Sequence, residues 1–240
     1  MTRSIATPPP TFEPLVNWKA PPAPVGEELA GRFARLVELD ADAHARALFA
    51  AYQGHDQVWD YLPYGPFETF EAYHEWMVAT LKDKTTLFYA IVDTATDQAV
   101  GVASYLRINP ASGSIEVGHL NFSPRLQKTK AATEAMYLMM QWAFEAGYRR
   151  YEWKCDASNL PSRRAAERLG FSYEGVFRQA TVVKGRNRDT AWFACIDSEW
   201  PALQAAFQSW LSDDNFADNR QVASLSDFTG NIRVSNDPAL

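Results

Sequence analysis

The chain has 240 residues, of which 47% are hydrophobic and 22% charged, with a formal net charge of −6 at pH 7. That is enough sequence for one substantial core, and the acidic balance argues against binding to nucleic-acid backbones. No apolar run approaches the roughly 18–20 residues that a bilayer span needs, so no membrane segment is expected. The opening MTRSIATPPPTFEP carries no apolar stretch of the secretory type. The two cysteines, Cys155 and Cys195, fall in strand-like runs and read as reduced core thiols of a cytoplasmic protein.

Half of the 14 prolines lie within the first 24 residues, so residues 1–30 read as an extended Pro-rich leader. The folded body, expected over 31–212, opens with the alternating run GRFARLVEL (31–39), a strand. Asp40 is a natural cap for a helix over 41–53. The aromatic stretch VWDYLPYGPF (58–67) is punctuated by Pro63, Gly65 and Pro66 and reads as irregular. A second helix fits 68–82, where Phe70, Tyr73, His74, Met77 and Leu81 recur at helical spacing. Strands follow at 87–93, 99–109 and 114–123, joined by TATDQ and PASG turns that favour an antiparallel meander. A helix over 129–146 ends at Gly147, a strand covers 149–157, and a short helix covers 161–170. Strands at 171–183 and 189–197, linked by the basic turn KGRNR, precede a helix over 199–211. Residues 213–240 read as a polar tail. The order implies an α/β (α+β) domain, a mixed and mostly antiparallel sheet of six to seven strands flanked by helices.

The most telling segment is LQKTKAATEA (126–135). A strand feeding a helix N-terminus through a basic turn (Arg125, Lys128, Lys130) suits a phosphate, because free N–H groups and the helix dipole both favour an anion. Basic residues also concentrate at 163–168 and 184–188. A local cationic patch on an acidic protein fits a small polyanionic ligand better than DNA.

The helix start Ala132-Thr133-Glu134-Ala135, followed by Asn159-x-x-Ser162-x-x-Ala165-x-x-x-Leu169-Gly170-Phe171-x-x-Glu174-Gly175, resembles the GNAT superfamily of acyl-CoA-dependent N-acyltransferases, nearest its RimJ/RimL-like branch. The resemblance covers roughly residues 31–200. It implies acetyl-CoA or another acyl-CoA as cosubstrate, without a metal, and direct attack by a primary amine in a ternary complex. The turn departs from the family pattern: Gln127 and Ala132 fit, but Lys128 and Lys130 stand where glycines usually let the backbone approach a pyrophosphate.

By that resemblance the pyrophosphate meets Gln127, Lys128, Thr129, Lys130, Ala131 and Ala132. The pantetheine arm meets the backbone of Leu120, Asn121 and Phe122, with Asn159 and Ser162 beside the pantetheine and thiol end and Arg164 at the adenosine-side phosphates. Glu116 and His119 are the candidate bases, and Ser162 is the candidate donor to the leaving sulfur. Their odd spacing sets Glu116 and His119 on opposite faces of a regular strand unless a bulge intervenes. Trp59, Tyr61, Tyr64 and Phe67 are expected to wall the acceptor pocket, although a packed lid or a homodimer contact would use the same residues. The acceptor would be an amine-bearing small molecule or a protein N-terminus. The competing reading, prompted by the glycine-free turn, is a catalytically silent CoA-binding regulatory or interaction protein.

Overall fold

The computed structural model describes residues 15–240, apart from the side chains of residues 217–219; the first part of the Pro-rich leader lies outside it. Eight strands form one sheet in the order β1-β2-β3-β4-β5-β6-β8-β7. They are β1 (Leu29–Ala30), β2 (Ala34–Glu38), β3 (Leu87–Asp93), β4 (Gln98–Asn109), β5 (Ser114–Phe122), β6 (Arg150–Asp156), β7 (Ser172–Val183) and β8 (Arg186–Ile196). The count exceeds the expected six to seven because Leu29 and Ala30 pair with Leu36 and Arg35 ahead of the expected first strand. All neighbours are antiparallel except β5 and β6.

The helices are α1 (Ala41–Tyr52), α2 (Phe70–Thr80), α3 (Lys130–Glu145), α4 (Leu160–Arg168), α5 (Trp200–Leu211) and α6 (Leu225–Thr229). Each of the first four begins at a side-chain cap that satisfies an orphan N–H: Asp40, Thr69, Thr129 and Asn159. Helices α1 and α2 cover one face of the sheet, sealing Leu48, Tyr52, Trp59, Tyr73 and Met77 over Phe88, Ala90 and Val102. The opposite face carries the larger core, where Ala135, Met139 and Met140 of α3 meet Tyr105, Ile115, Val117 and Tyr151. Alternation along the strands therefore assigns each side chain to a face: Val117 to the α3 side, Glu116 to the α1–α2 side.

A buried carboxylate fastens the two halves of the sheet edge to α3. Glu134 accepts from the backbone N–H groups of Arg32, Phe33 and Ala34, at 3.0 Å from the first and 2.8 Å from the last. Any side chain at Gly31 would run into that carboxylate, since a Cβ there would stand 2.5 Å from Oε2. The Ala-Thr-Glu-Ala helix start is thus a structural lock as well as a family signature.

The segment expected as a polar tail is ordered against the body. It carries α6, and Asp237, fully covered, forms a two-pronged ion pair with Arg163 of α4. Asn215 is likewise buried and ties Trp210 to Ala223. Polar composition hid this because Asp237 and Asn215 are buried through an ion pair and backbone hydrogen bonds, while the few apolar anchors, such as Leu225, are scattered. Between Leu15 and Glu28 the leader forms no regular element; Pro21 is buried and the Pro22 carbonyl accepts from the Tyr148 hydroxyl at 3.0 Å.

The hairpin between β7 and β8 differs from its expected form. Its turn is only Lys184-Gly185, both at positive φ (49° and 73°) as a tight hairpin demands, so Arg186, Asn187 and Arg188 belong to the strand. That places Arg188, Thr190 and Trp192 on one face of β8, opposite Ala191, Phe193 and Cys195, which enter the α3-side core.

Candidate active site

The parallel strands β5 and β6 pair from Ser114/Arg150 to Val117/Trp153 and then part. Beyond that point Gly118–Phe122 of β5 has no β6 partner, and the chain leaves each strand into the N-terminus of a helix, α3 after β5 and α4 after β6. A parallel pair that opens between two helix N-termini presents strand-edge and helix-end backbone groups to one elongated ligand.

On the α3 side, the turn from Ser123 to Thr129 is closed by Leu126 and Gln127 N–H groups donating to the Ser123 carbonyl at 2.9 and 3.0 Å. Leu126 plugs into the core, and Gln127 Nε2 donates to the Phe122 carbonyl at 2.8 Å. Lys128 adopts φ 62°, the left-handed conformation that favours glycine. The backbone shape therefore survives the change of residue. Lys130 serves differently from Lys128: its ammonium sits 3.6 Å from the centre of the Phe216 ring and 5.2 Å from Phe33, away from the turn. Thr129 caps α3 by accepting from Ala132 N–H at 3.1 Å, while Ala131 and Ala132 are buried. The N–H groups of Lys130 and Ala131 precede the first position that α3 can bond internally.

On the α4 side, Asn159 caps the helix by accepting from Ser162 N–H at 3.1 Å. Ser162 Oγ accepts from Trp153 Nε1 at 3.1 Å, and its own hydroxyl proton is within reach of the Cys155 sulfur. Arg164 is exposed, whereas its neighbour Arg163 is buried and donates to the Ala157 carbonyl at 2.7 Å. The Arg163–Asp237 pair thereby braces the loop that ends in Asn159.

On the α1–α2 side, β4 and β5 carry two bulges. Val102 pairs with Asn121 but Ser104 with Gly118, giving β5 an extra residue where His119 takes φ 49°. The bulge turns His119 onto the same face as Glu116, so the opposition expected for a regular strand does not hold. The imidazole packs 5.0 Å from Phe88 and stacks on Tyr64 at 5.7 Å, with the Tyr64 hydroxyl 3.0 Å from Nδ1. Burial, then the nearby Arg107 and Arg188 guanidiniums, lower its pKa to about 4. Burial also raises the Tyr64 phenol, which stays protonated.

Glu116 is 3% exposed. Its Oε1 accepts from Arg107 Nη1 at 2.5 Å, and Lys154 Nζ stands 2.8 Å from Oε2, off the hydrogen-bonding direction, so this second contact is coulombic. Lys154 is shared with Glu152, and Arg150 with Glu152 and Glu174, so the pairs run on across β6 to β7. An amine proton could reach Glu116 only by displacing a cation.

The four acceptor-side aromatics divide. Trp59 is core, 5.0 Å from Tyr52 and 5.3 Å from Phe67, and Gly65 must lack a side chain because a Cβ would lie 2.7 Å from its ring. Phe67 is half-buried against Trp59 and Trp76. Tyr64 alone touches His119. Tyr61 is exposed, and its hydroxyl reaches 3.4 Å from the Ser158 carbonyl ahead of α4. Leu120 and Phe122 are half-buried; Asn121 is buried with its carbonyl accepting from Tyr52 at 2.7 Å and its Oδ1 unpaired. A cleft of about 710 Å³ floored by Leu87, Phe88 and Leu106 reaches Arg107 and is walled by Ala23–Val25. Sequence reasoning missed Arg107, Lys154, Arg188 and Trp192. Only Arg188 had left a trace, as part of the basic KGRNR run.

A mixed sheet whose single parallel pair opens between two helix N-termini is the arrangement that the resemblance in the sequence leads one to expect. The acetyltransferase (GNAT) domain model matches residues 34–172, and the chain belongs to that family. A GCN5-related N-acetyltransferase from Brucella melitensis superposes with a TM-score of 0.86 at 44% identity, covering 89% of this chain and 99% of that one. The RimL ribosomal L7/L12 alpha-N-protein acetyltransferase shares the fold, with a TM-score of 0.61 at 21% identity over 72% of this chain and 98% of its own. An uncharacterized N-acetyltransferase, p20, of Bacillus licheniformis is 26% identical over 113 residues; the match spans 47% of this chain and 63% of that protein.

Proposed function

We propose that the protein transfers an acetyl group from acetyl-CoA to a primary amine by direct attack in a ternary complex. The observation that carries this reading is the parting of β5 and β6 beyond Val117/Trp153, between two helix N-termini. The residues present suit the cosubstrate. The α3 start offers N–H groups and Lys128 to a pyrophosphate, and the unpaired edge of Gly118–Phe122 offers main-chain groups to a pantetheine amide. Acetyl-CoA bound there supplies a thioester carbonyl, whose C–S bond breaks as the amine's C–N bond forms.

The chain's own groups then divide the work. His119 takes the amine proton: with Nδ1–H donating to the Tyr64 oxygen, Nε2 keeps a free lone pair. The N–H groups along the edge of β5 that lacks a β6 partner, Gly118–Phe122, stabilise the developing oxyanion. Ser162, its oxygen already receiving the Trp153 proton, hydrogen-bonds the departing thiolate, which ends as a thiol when the proton that His119 took from the amine passes on to it. Glu116 anchors Arg107 and Lys154 rather than accepting a proton. The RimJ/RimL-like kinship and a protein N-terminus as acceptor are consistent with the fold shared with RimL. The test is CoA release from acetyl-CoA over a panel of amines. Tight CoA binding with no turnover on any amine would replace this reading with the silent CoA-binding one.

A further inference from the structure

The α1–α2 face of the sheet holds two buried donors without partners, both on β8. The described ion pairs across it balance: Arg107, Lys154 and Arg150 against Glu116, Glu152 and Glu174. Arg188 stands outside that balance. It makes no ion pair among the described residues, and its Nε is buried without a hydrogen-bond partner. Four residues along β8 on the same face, Trp192 Nε1 is a second buried donor with no partner. Its ring is held in place by Lys154, 3.8 Å from the ring centre, and by Phe177 at 4.5 Å. Opposite, the Arg107 guanidinium is fixed at one nitrogen by Glu116 while its side chain remains 60% exposed at the mouth of the cleft. Two buried donors of one strand, with Arg188 and the half-free Arg107 both close enough to act on His119, suit a ligand with acceptor oxygens.

We propose that the acceptor amine carries a carboxylate, held by Arg188 and Trp192 Nε1 with Arg107 at its side. This rests on the acetyl-transfer reading above and names the substrate class for that same site. The carboxylate would do more than bind. Arg107 and Arg188 both hold His119 toward its neutral form. A carboxylate between them offsets their charge and returns proton affinity to the imidazole as the substrate arrives. An amine with the carboxylate replaced by an amide would lose both effects.

The experiment compares an amino acid or acidic peptide with its amide, using acetyl-CoA and wild-type protein, Arg188→Met and Trp192→Phe. Wild type should prefer the carboxylate by about 10–100-fold in kcat/KM, the range for a charged hydrogen-bonded contact. Arg188→Met should collapse that ratio toward one. Trp192→Phe, which keeps the ring and removes only the N–H, should reduce it several-fold, and Arg188→Lys should restore part of it. The acid limb of kcat should lie at higher pH for the acidic amine than for its amide. A wild-type ratio near one, with both amines turned over, overturns this proposal and leaves acetyl transfer standing; no turnover of any amine overturns both. If the Arg188 dependence follows a dicarboxylic acyl-CoA donor used with the amide, the carboxylate belongs to the acyl group and the assignment to the acceptor is overturned.

Discussion

The two sides of the β5–β6 opening are built from different materials. On the α3–α4 side the groups facing the gap are mostly backbone: strand-edge amides, the N–H groups opening α3, and caps supplied by Thr129 and Asn159. On the α1–α2 side they are side chains, with His119, Tyr64, Arg107 and Arg188 set by two bulges and a tight hairpin. Backbone sites tolerate substitution, which is how Lys128 can occupy a left-handed turn position without dismantling it. Side-chain sites have no such tolerance, and in the proposed reaction they would choose the acceptor.

The sharpest way to break this contrast is to disturb the bracing under the backbone side. Asp237→Asn leaves Arg163 buried and short of its counter-charge, which should cost about 3–5 kcal/mol of stability. Because Arg163 also holds the Ala157 carbonyl, the melting temperature should fall and CoA affinity with it. Unchanged CoA affinity in a folded variant would detach the C-terminal segment from the cofactor side.

On the side-chain face, stability should depend on pH through His119. Its pKa in the fold, about 4, lies below the ordinary 6.5 because burial disfavours the imidazolium. Between these values the unfolded chain binds a proton that the folded chain refuses, so stability is full above about 6.5 and is lost as pH falls toward 4. The total is of order 3 kcal/mol, and His119→Gln should flatten that part of the stability curve. Parallel curves for the two proteins would mean that the imidazole is freely protonated in the fold.

The smallest effects separate the two lysines. Lys128→Gly should stabilise the fold by about 1 kcal/mol, by relieving the left-handed residue, while weakening CoA more at low salt than at high salt. Lys130→Ala should leave the salt dependence of CoA binding as it is, since that ammonium rests on Phe216 and Phe33. Equal salt responses would merge the roles that the structure separates.

What the sequence revealed follows the same division. Strand alternation, the small-residue start of α3 and the Asn159 cap are local patterns, and they located these elements nearly to the residue. His119 and Glu116 were found as candidates, yet their relation was not, because a bulge leaves no mark in the alternation of side chains. Arg188 was hidden by a turn shorter than its composition suggested: the basic run KGRNR is mostly strand. Asp237 was hidden by polarity, since its partner lies 74 residues away. Long-range pairing of charges is invisible to local patterns.

The central claim is that His119, not Glu116, takes the amine's proton at a CoA-loaded opening. Steady-state CoA release should be measured for His119→Gln and Glu116→Gln, with CoA affinity and melting temperature determined for each. The account predicts that His119→Gln loses about 100-fold or more in kcat while its CoA affinity holds. Glu116→Gln should chiefly lower the melting temperature, by unpairing Arg107 and Lys154. A His119→Gln enzyme at near full rate, beside a stable Glu116→Gln enzyme that is inactive, would contradict it.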